Sequence, residues 1–561
     1  MTKLQTALLD SAPLADVEGL GGAAPAAVLD SAHIGDIFGA FGTIRQHDLA
    51  PRRGFWARLK TLLAVIGPGL IVMVGDNDAG AYATYAQAGQ NYGSTLLWTL
   101  VLLIPVLYVC QEMVARLGAV TGVGHARLIF ERFGRFWGAF SVIDLLMLNA
   151  LTIVTEFIGI SLAMDYLGFS KPIGVLTAAG LILAAVSTGS FRNFERFAVM
   201  LCFGSLAVVP IFVACHPPLH EVARNLVVPG LPAGKLSDVM LLIIGIVGTT
   251  VAPWQLFFQQ SYVVDKRLQP RFMAYERADM AIGVVFTQIG AIAIMAFAAA
   301  AFAGKPEFGN FTDAAGVAAG LGKYVAPWAG VVFAVGLIDA AILGAAAVGL
   351  ATSYALGDML LVRHSLHRKP TEALGFYVSY GVLILASAAL VLLPNAPLGL
   401  ITEAVQVLAG VLLPSATVFL LLLCNDKAVL GPWVNGFWQN LLTGAILVAL
   451  VVLSLVLTAA VVFPDLTDRQ ILAILVGGAV LGVVGFVLTW LWKKPGEGEE
   501  AGAEATADRM TWRMPPLASL PPPRISPATR LWMGTLRAYL VVAVGLVLYK
   551  VVMLAMHGTA S

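Results

Sequence analysis

Asp76, Asp78, Glu156 and Asp339 lie deep inside apolar sequence with no lysine or arginine at matching depth, and Glu403 lies nearer the end of its apolar run. An ionised carboxylate in hydrocarbon costs several kcal/mol unless it is paired or hydrated, so something other than a fixed base must compensate it. The compensators available are protons, water and a mobile cation. A lone acid such as Asp339 is equally well explained as neutral or bonded to serine, threonine or backbone. Asp76 and Asp78 stand two residues apart, and two neighbouring acids invite a cation. Glu112 is different: it precedes Arg116 by one helical turn, which makes an ordinary i,i+4 ion pair.

The paired acids sit in Gly67-Pro68-Gly69-Leu70-Ile71-Val72-Met73-Val74-Gly75-Asp76-Asn77-Asp78-Ala79-Gly80-Ala81. A polar cluster between glycines is a poor helix, because glycine costs about 1 kcal/mol relative to alanine and Asp and Asn bond the local backbone. An unwound stretch is expected near 76–80. Asn77 either ligates through its amide or caps the following half-helix. A second interruption is expected in Gly248-Thr249-Thr250-Val251-Ala252-Pro253-Trp254-Gln255, where Pro253 has no N–H for the carbonyl of Thr249 and disfavours helix at Ala252. Irregular backbone at membrane depth is tolerated only where it is buried in protein or lines a cavity. Breaks in the first and sixth spans occupy corresponding positions if the core is two inverted halves of five helices, the arrangement that marks the substrate site of a secondary transporter. Carboxylate and carbonyl oxygens with no fixed positive charge would select a hard cation. Trp254 and Gln255 beside the second break either shape the cavity or pack.

The elements that must hold these residues are membrane helices. The chain has 561 residues, 59% of them hydrophobic and 12% charged, with mean hydropathy +0.85. That composition excludes a string of soluble domains, and continuous apolar runs exclude a β-barrel. At about 20 residues per crossing, thirteen spans are expected, near 59–90, 93–118, 137–167, 173–189, 197–215, 239–263, 279–303, 325–358, 373–393, 398–424, 438–463, 470–492 and 533–556. With the N-terminus in the cytosol most of the 34 Lys and Arg fall inside, and Lys171, Arg224, Lys235, Lys305, Lys323 and Arg469 fall outside. The expected organisation is a cytosolic segment 1–54 that is not a cleavable signal, a core 55–463, a further span 464–492, a disordered linker 493–530 and a last helix 531–561. A repeated Leu-Asp-Ser-Ala at Leu9 and Leu29 has no role derivable from sequence. The 4 cysteines are scattered without paired spacing, which argues against disulfides and zinc. His125, His364 and His367 read as solvated loop residues.

In combination these motifs resemble the NRAMP metal-ion transporters over about residues 55–463. Gly67-Pro68 through Ala81 is similar to their first helix, with its Asp-Pro-Gly-Asn motif. Gly248 to Trp254 is similar to their sixth, where methionine, proline and histidine normally fill the last three places. Gln406 to Pro414, and on to Gly431, is similar to their tenth. The resemblance implies an all-α polytopic membrane protein of two inverted five-helix repeats (LeuT-like), with helices one and six broken and additional C-terminal helices. It places Asp78 on the metal-binding aspartate, Thr249 on the position giving a backbone carbonyl, and Gln406 on the tenth-helix glutamine. Ala81 stands where the family has a ligating asparagine and Ala252 where it has the ligating methionine. Losing a soft thioether removes the preference for manganese, iron or cadmium, and losing two ligands leaves room for the waters that magnesium keeps. Asp76 adds charge that would attract a hydrated ion. The run Thr-Thr-Val-Ala-Pro-Trp-Gln resembles the NRAMP-related magnesium transporter branch.

The groups that couple protons in the family are also altered. Trp254 replaces the sixth-helix histidine, Ile153 the third-helix aspartate, only Glu156 remains, and the ninth span has no arginine. Tryptophan does not titrate. The expectation is therefore alternating-access uptake of divalent cations, Mg2+ and also Mn2+, without proton coupling. It is expected in the inner (plasma) membrane of the cell, as a monomer, with the ion as substrate, lipid as surroundings, and neither cofactor nor nucleic acid. The alternatives are a proton-coupled manganese or iron importer using Glu156 and Asp339, a sodium-driven amino-acid carrier, and a non-transporting metal sensor. The spans contain no nucleophile–base set, which argues against an enzyme.

Overall fold

The computed structural model describes residues 30–393, 398–463, 467–491 and 509–523, with four isolated positions beyond them. A 3-10 turn at Ser31–His33 leads into a hairpin, β1 (Ile37–Gly39) and β2 (Gly42–Ile44), paired antiparallel with Ile37 opposite Ile44. Everything after it is helical: α1 (Phe55–Val65), α2 (Pro68–Val74), α3 (Ala79–Tyr92), α4 (Leu97–Thr121), α5 (His125–Phe133), α6 (Arg135–Tyr166), α7 (Lys171–Val186), α8 (Phe191–Gly204), α9 (Val208–Cys215), α10 (Leu219–Val227), α11 (Leu236–Thr250), α12 (Pro253–Asp265), α13 (Met273–Phe302), α14 (Ala314–Tyr324), α15 (Pro327–Leu360), α16 (Leu374–Val391), α17 (Leu398–Cys424), α18 (Lys427–Leu430), α19 (Phe437–Val462) and α20 (Asp468–Leu491). Among the described residues 9 helices are long and apolar enough to cross a membrane, or up to 11 if bent pairs count as one span.

The first expected span is three helices rather than one. The break at Gly75–Asp78 falls where the polar cluster put it, but a second lies at Ile66–Gly67, where α1 and α2 meet at 54°. Gly67 has φ +150°, and a Cβ there would come within 2.2 Å of Glu195 Oε1, so a side-chain-free residue is required. The sixth span breaks as expected, with Val251 and Ala252 extended between α11 and α12. Of the expected last helix, only the isolated positions Met533, Gly534, Val541 and Gly545 are described.

α13 holds the first broken span at both ends of α2. At the start, the Asp279 carboxylate accepts from the N–H groups of Gly67, Gly69 and Leu70 at 3.0, 2.7 and 3.2 Å. At the other end Thr287 donates to the Met73 carbonyl at 2.5 Å, and its own carbonyl accepts from Asn77 Nδ2 at 2.8 Å. Close approach is possible because Gly69 lies on Met280 and Gly283 lies on Met73. The donors and acceptors that a helix end would leave bare in lipid are thus satisfied by one neighbour.

The segment before α1 packs on the face where α1, α8, α12 and the α15–α16 connection end. We call this the N-terminal face. Asp30, in the second Leu-Asp-Ser-Ala copy, accepts from Arg368 Nη2 at 2.5 Å and from the His364 N–H at 3.1 Å. Asp265 accepts from Tyr354, Ser365 and the Leu366 N–H at 2.5, 2.5 and 2.8 Å. His364 and His125 are buried, not solvated: His125 Nδ1 meets Gln260 Oε1 at 2.9 Å. Glu112 pairs with Arg116 at 3.3 Å as expected, and also with Arg277 at 2.7 Å. Residues 509–523, within the stretch expected to be disordered, dock instead. Trp512 covers Gly431, the Met514 N–H reaches the Val120 carbonyl at 3.3 Å, and Arg132 reaches the Pro521 carbonyl at 2.6 Å. An aromatic anchor and guanidinium-to-carbonyl bonds fix this stretch, and composition averages hide both.

The N-terminal face carries an alkaline pH dependence. Burial pulls the His364 imidazole down, but Asp358 at 3.0 Å and the Val362 carbonyl at 2.6 Å outweigh it and hold its pKa at about 9. A folded-state pKa above the unfolded value stabilises fully below about pH 6.5, and the contribution is lost as pH rises through 9. The thermal unfolding midpoint should therefore fall between neutral and strongly alkaline pH, and Asp358→Asn should flatten that fall. An unaltered decline in the variant would assign it to other groups.

Candidate metal-ion site at the two helix breaks

The first break is built from short-range hydrogen bonds. After α2 the Asp76 N–H turns back to the Met73 carbonyl and the Asn77 N–H to Val74, at 3.3 and 3.0 Å. Asp78 then caps α3, its carboxylate accepting from the Ala81 N–H at 2.8 Å. Glu156 of α6 accepts from the Ala79 N–H at 3.1 Å, on the same helix start. Two carboxylates at one N-terminus use the unpaired N–H groups and the positive end of the half-helix dipole. They lie side by side over Gly344 of α15, where a Cβ would be 2.9 Å from Glu156 Cδ and 3.0 Å from Asp78 Cβ.

Asp76 takes a separate partner. Gln255, in the first turn of α12, donates to Asp76 Oδ1 and accepts from Gln111 of α4 at 2.9 Å, so a buried amide chain ties the two breaks together. Tyr85 and Thr250 add a link between α3 and α11 at 2.8 Å. Trp254 is fully buried beside Phe258, with its indole edge 3.5 Å from where a Cβ on Gly75 would stand. It therefore packs between the breaks.

Four side-chain oxygens at this junction are buried without a hydrogen-bond partner among the described residues: Asp76 Oδ2, Asn77 Oδ1, Glu156 Oε1 and Thr249 Oγ1. The Thr249 carbonyl lacks its helical donor, since that donor would be Pro253. Orphaned oxygens of this kind fit a cation or the waters of its hydration shell, since oxygen lone pairs take either a metal ion or a donated O–H. Among the described residues no three His, Cys, Asp or Glu side chains converge closely enough to hold an ion alone. An ion here would complete its shell from carbonyls, amides and water. Ala81 and Ala252 are buried and bring only methyl groups. Asn77 spends its amide N–H on α13, leaving one oxygen. Gln406 lies within α17, but its side chain is outside the described residues.

A cavity of about 240 Å³ runs from the end opposite the N-terminal face to Ala79 at the start of α3, lined also by Thr84, Gln87, Thr155, Gly159 and Asp313. It stops short of Asp76, Asp78, Glu156 and Thr249, which do not line it. Asp339, in the middle of α15, lies elsewhere, against Gly204 of α8. Several residues at and around the site escaped sequence reasoning. Gln111, Thr287 and Asp279 were available as polar residues in apolar runs. So was Asp144 of α6, which accepts from Ser415 at 3.4 Å in a small pocket beside Pro253 and Phe257. Gly344 gave no signal, since its role is to be small.

Two broken membrane spans meeting at buried oxygens, with a cavity ending beside the start of α3, define a polytopic membrane protein of the secondary-transporter class. The family model described as natural resistance-associated macrophage protein-like matches residues 69–460, and the chain belongs to that family. It is 28% identical over 410 residues to a divalent metal cation transporter MntH of Pectobacterium carotovorum, covering 70% of this chain and 93% of the relative. A Klebsiella pneumoniae protein of the same name is 27% identical, covering 71% and 94%. In fold the chain is similar to the manganese transporter of Eremococcus coleocola, with TM-score 0.59 and 20% identity over 79% of this chain and 96% of that one.

Gly344→Ala tests the geometry. The added methyl would push into Asp78 and Glu156, and overpacking of this kind costs about 1–3 kcal/mol. A lowered unfolding midpoint together with weakened metal binding is expected. Binding unchanged from the unsubstituted protein would show that the two acids need not adjoin.

Proposed function

We propose that this chain is an alternating-access carrier of divalent metal cations that takes Mg2+, with Mn2+ also accepted, and moves them without protons. The observation that carries the reading is the set of unpartnered buried oxygens at the two breaks, combined with alanine at 81 and 252. Asp78, the Thr249 carbonyl and Gln406 would contact the ion, Asp76 would supply charge, and the space left by the two alanines would hold water. A carrier of a partly hydrated ion needs weak, oxygen-only contacts, because magnesium dehydrates reluctantly. The ion would enter by the 240 Å³ cavity and leave at the N-terminal face, which the Lys and Arg bias assigns to the cytosol. An inside-negative potential favours a divalent cation by about 4.6 kcal/mol per 100 mV, so uptake needs no proton. Buried Trp254 and Ile153 support this, since neither titrates.

One observation favours a second reading. Glu156 remains beside Asp78, so a proton leaving that pair as metal arrives would give a proton-coupled manganese or iron importer. Proteoliposomes with the purified protein separate the two. Mg2+ and Mn2+ uptake under an inside-negative potential, with lumenal pH steady, is expected. Acidification in step with uptake would select the importer, and no flux above empty liposomes would sink both.

Selectivity has its own test. Ala252→Met restores a thioether at the second break and should improve Mn2+ or Cd2+ binding relative to Mg2+, by about tenfold if the sulfur contributes some 1.4 kcal/mol. An unchanged preference in competition binding would refute the account given for the alanine.

A further inference from the structure

Residues 30–48 lie across elements that would have to separate if an ion left the breaks by the N-terminal face. α1 and α2 lead into the first break, and α12 leads out of the second. The segment ties the end of α12 to its neighbours. Arg267, just past α12, donates to the carbonyls of Ala32 and Asp36, both at 2.9 Å. From α8, Arg192 reaches the carbonyls of Gly39 and Gly42 at 3.1 and 3.2 Å, Arg196 reaches Ala40 at 2.9 Å, and Glu195 accepts from the Ala40 N–H at 2.5 Å. Arg271 holds the far end through Gln46 and Asp48 at 2.9 and 3.2 Å. Gly39 and Gly42 lie directly on Ala64 of α1. Lys266, beneath the segment, joins Glu195 and the Ile66 carbonyl at 2.6 and 2.8 Å.

These fastenings differ in kind from the core. They are mostly bonds from guanidinium groups to backbone carbonyls at a water-facing surface, which water can replace at little net cost. The exceptions are buried: Asp30, bidentate to Arg368 with further contacts to the Ala32 and His364 N–H groups, His33 against the His364 carbonyl at 3.0 Å, and the Ala40 N–H on Glu195. A charge-assisted pair whose carboxylate is out of water holds more firmly than a guanidinium-to-carbonyl bond at the surface.

We infer that residues 30–48 are a strap, clipped by Asp30 to Arg368, that must lift for the N-terminal face to open and that slows the transport cycle while it is seated. The inference rests on the alternating-access reading above. It makes the strap a brake, because every fastening across α8, α12 and the α15–α16 connection must break before the half-helices part.

Charge reversal in the full chain tests it. Ile37 in β1 is buried, so Ile37→Cys reports lifting by its reaction with a maleimide, with the protein lacking that substitution as the blank. In reconstituted protein, Asp30→Lys should speed this labelling several-fold and raise initial Mg2+ and Mn2+ uptake several-fold with metal affinity unchanged. The swapped pair Asp30→Lys with Arg368→Asp should return both towards the starting values, which a merely destabilised protein would not do. Labelling that does not change, or faster labelling with uptake equal or lower, overturns the proposal. Starting protein that moves neither ion removes the carrier reading and the strap with it. If it moves ions at a rate indifferent to release, the strap proposal alone falls.

Discussion

A broken helix inside a membrane leaves backbone donors and acceptors with nothing to bond, and that constraint organises this molecule. Each unpaired group in hydrocarbon costs several kcal/mol, so a break survives only where a neighbour answers it. α13 is that neighbour for the first break. Asp279 takes three N–H groups at the start of α2, and Thr287, two turns further on, takes the loose ends beyond Met73. The register works because the two helices rise together, with Gly69 and Gly283 stripped of side chains where they touch.

Once the break is secured in this way, the groups left over make up the candidate site. α13 answers the start of α2 and its last turn, and the start of α3 is answered by Asp78 and Glu156. What remains is oxygen: side-chain oxygens of Asp76, Asn77, Glu156 and Thr249, and the carbonyl that Pro253 cannot serve. The amide chain from Gln111 through Gln255 to Asp76 couples the two breaks, so a displacement at one is felt at the other. Among the described residues no guanidinium or ammonium enters this region, and the buried bases are spent elsewhere, Lys266 on Glu195, Arg116 on Glu112 and Arg132 on Asp426.

What could be read from the chain itself followed from local chemistry. Glycine, proline and acid clusters at 67–81 and 248–255 disfavour helix wherever they occur, so both breaks were legible to within a residue or two. Span positions followed from apolar run length. The remainder depended on partners far apart in sequence. Nothing around Asp30 announces Arg368, 338 positions away, or around Asp279 its bonds to Gly67 and Gly69. Residues 509–523 read as linker because proline and charge dominate the average, while the anchoring belongs to Trp512 and a few arginines. Trp254, whose neighbourhood suggested lining or packing equally, is fully buried against Phe258 and the turn at Gly75.

The placement of charge separates two functions that composition alone merges. At the N-terminal face three buried acids are answered by bases, Asp30 by Arg368, Glu195 by Lys266 and Asp358 by His364, while Asp265 is held by the Tyr354 and Ser365 hydroxyls and the Leu366 N–H. A paired buried charge holds elements in one arrangement, and removing one partner leaves the other stranded at a penalty of several kcal/mol. At the breaks the acids have amides and N–H groups but no base. An unanswered carboxylate is a poor fastener, because its energy falls when a cation arrives and rises when it leaves. The same residue type thus serves as a clasp where a base was provided and, in the proposed carrier, as a receptor where none was. A carrier of the proposed kind needs both, since a mobile ion can be exchanged between two faces only if the elements around it are held shut by something other than the ion.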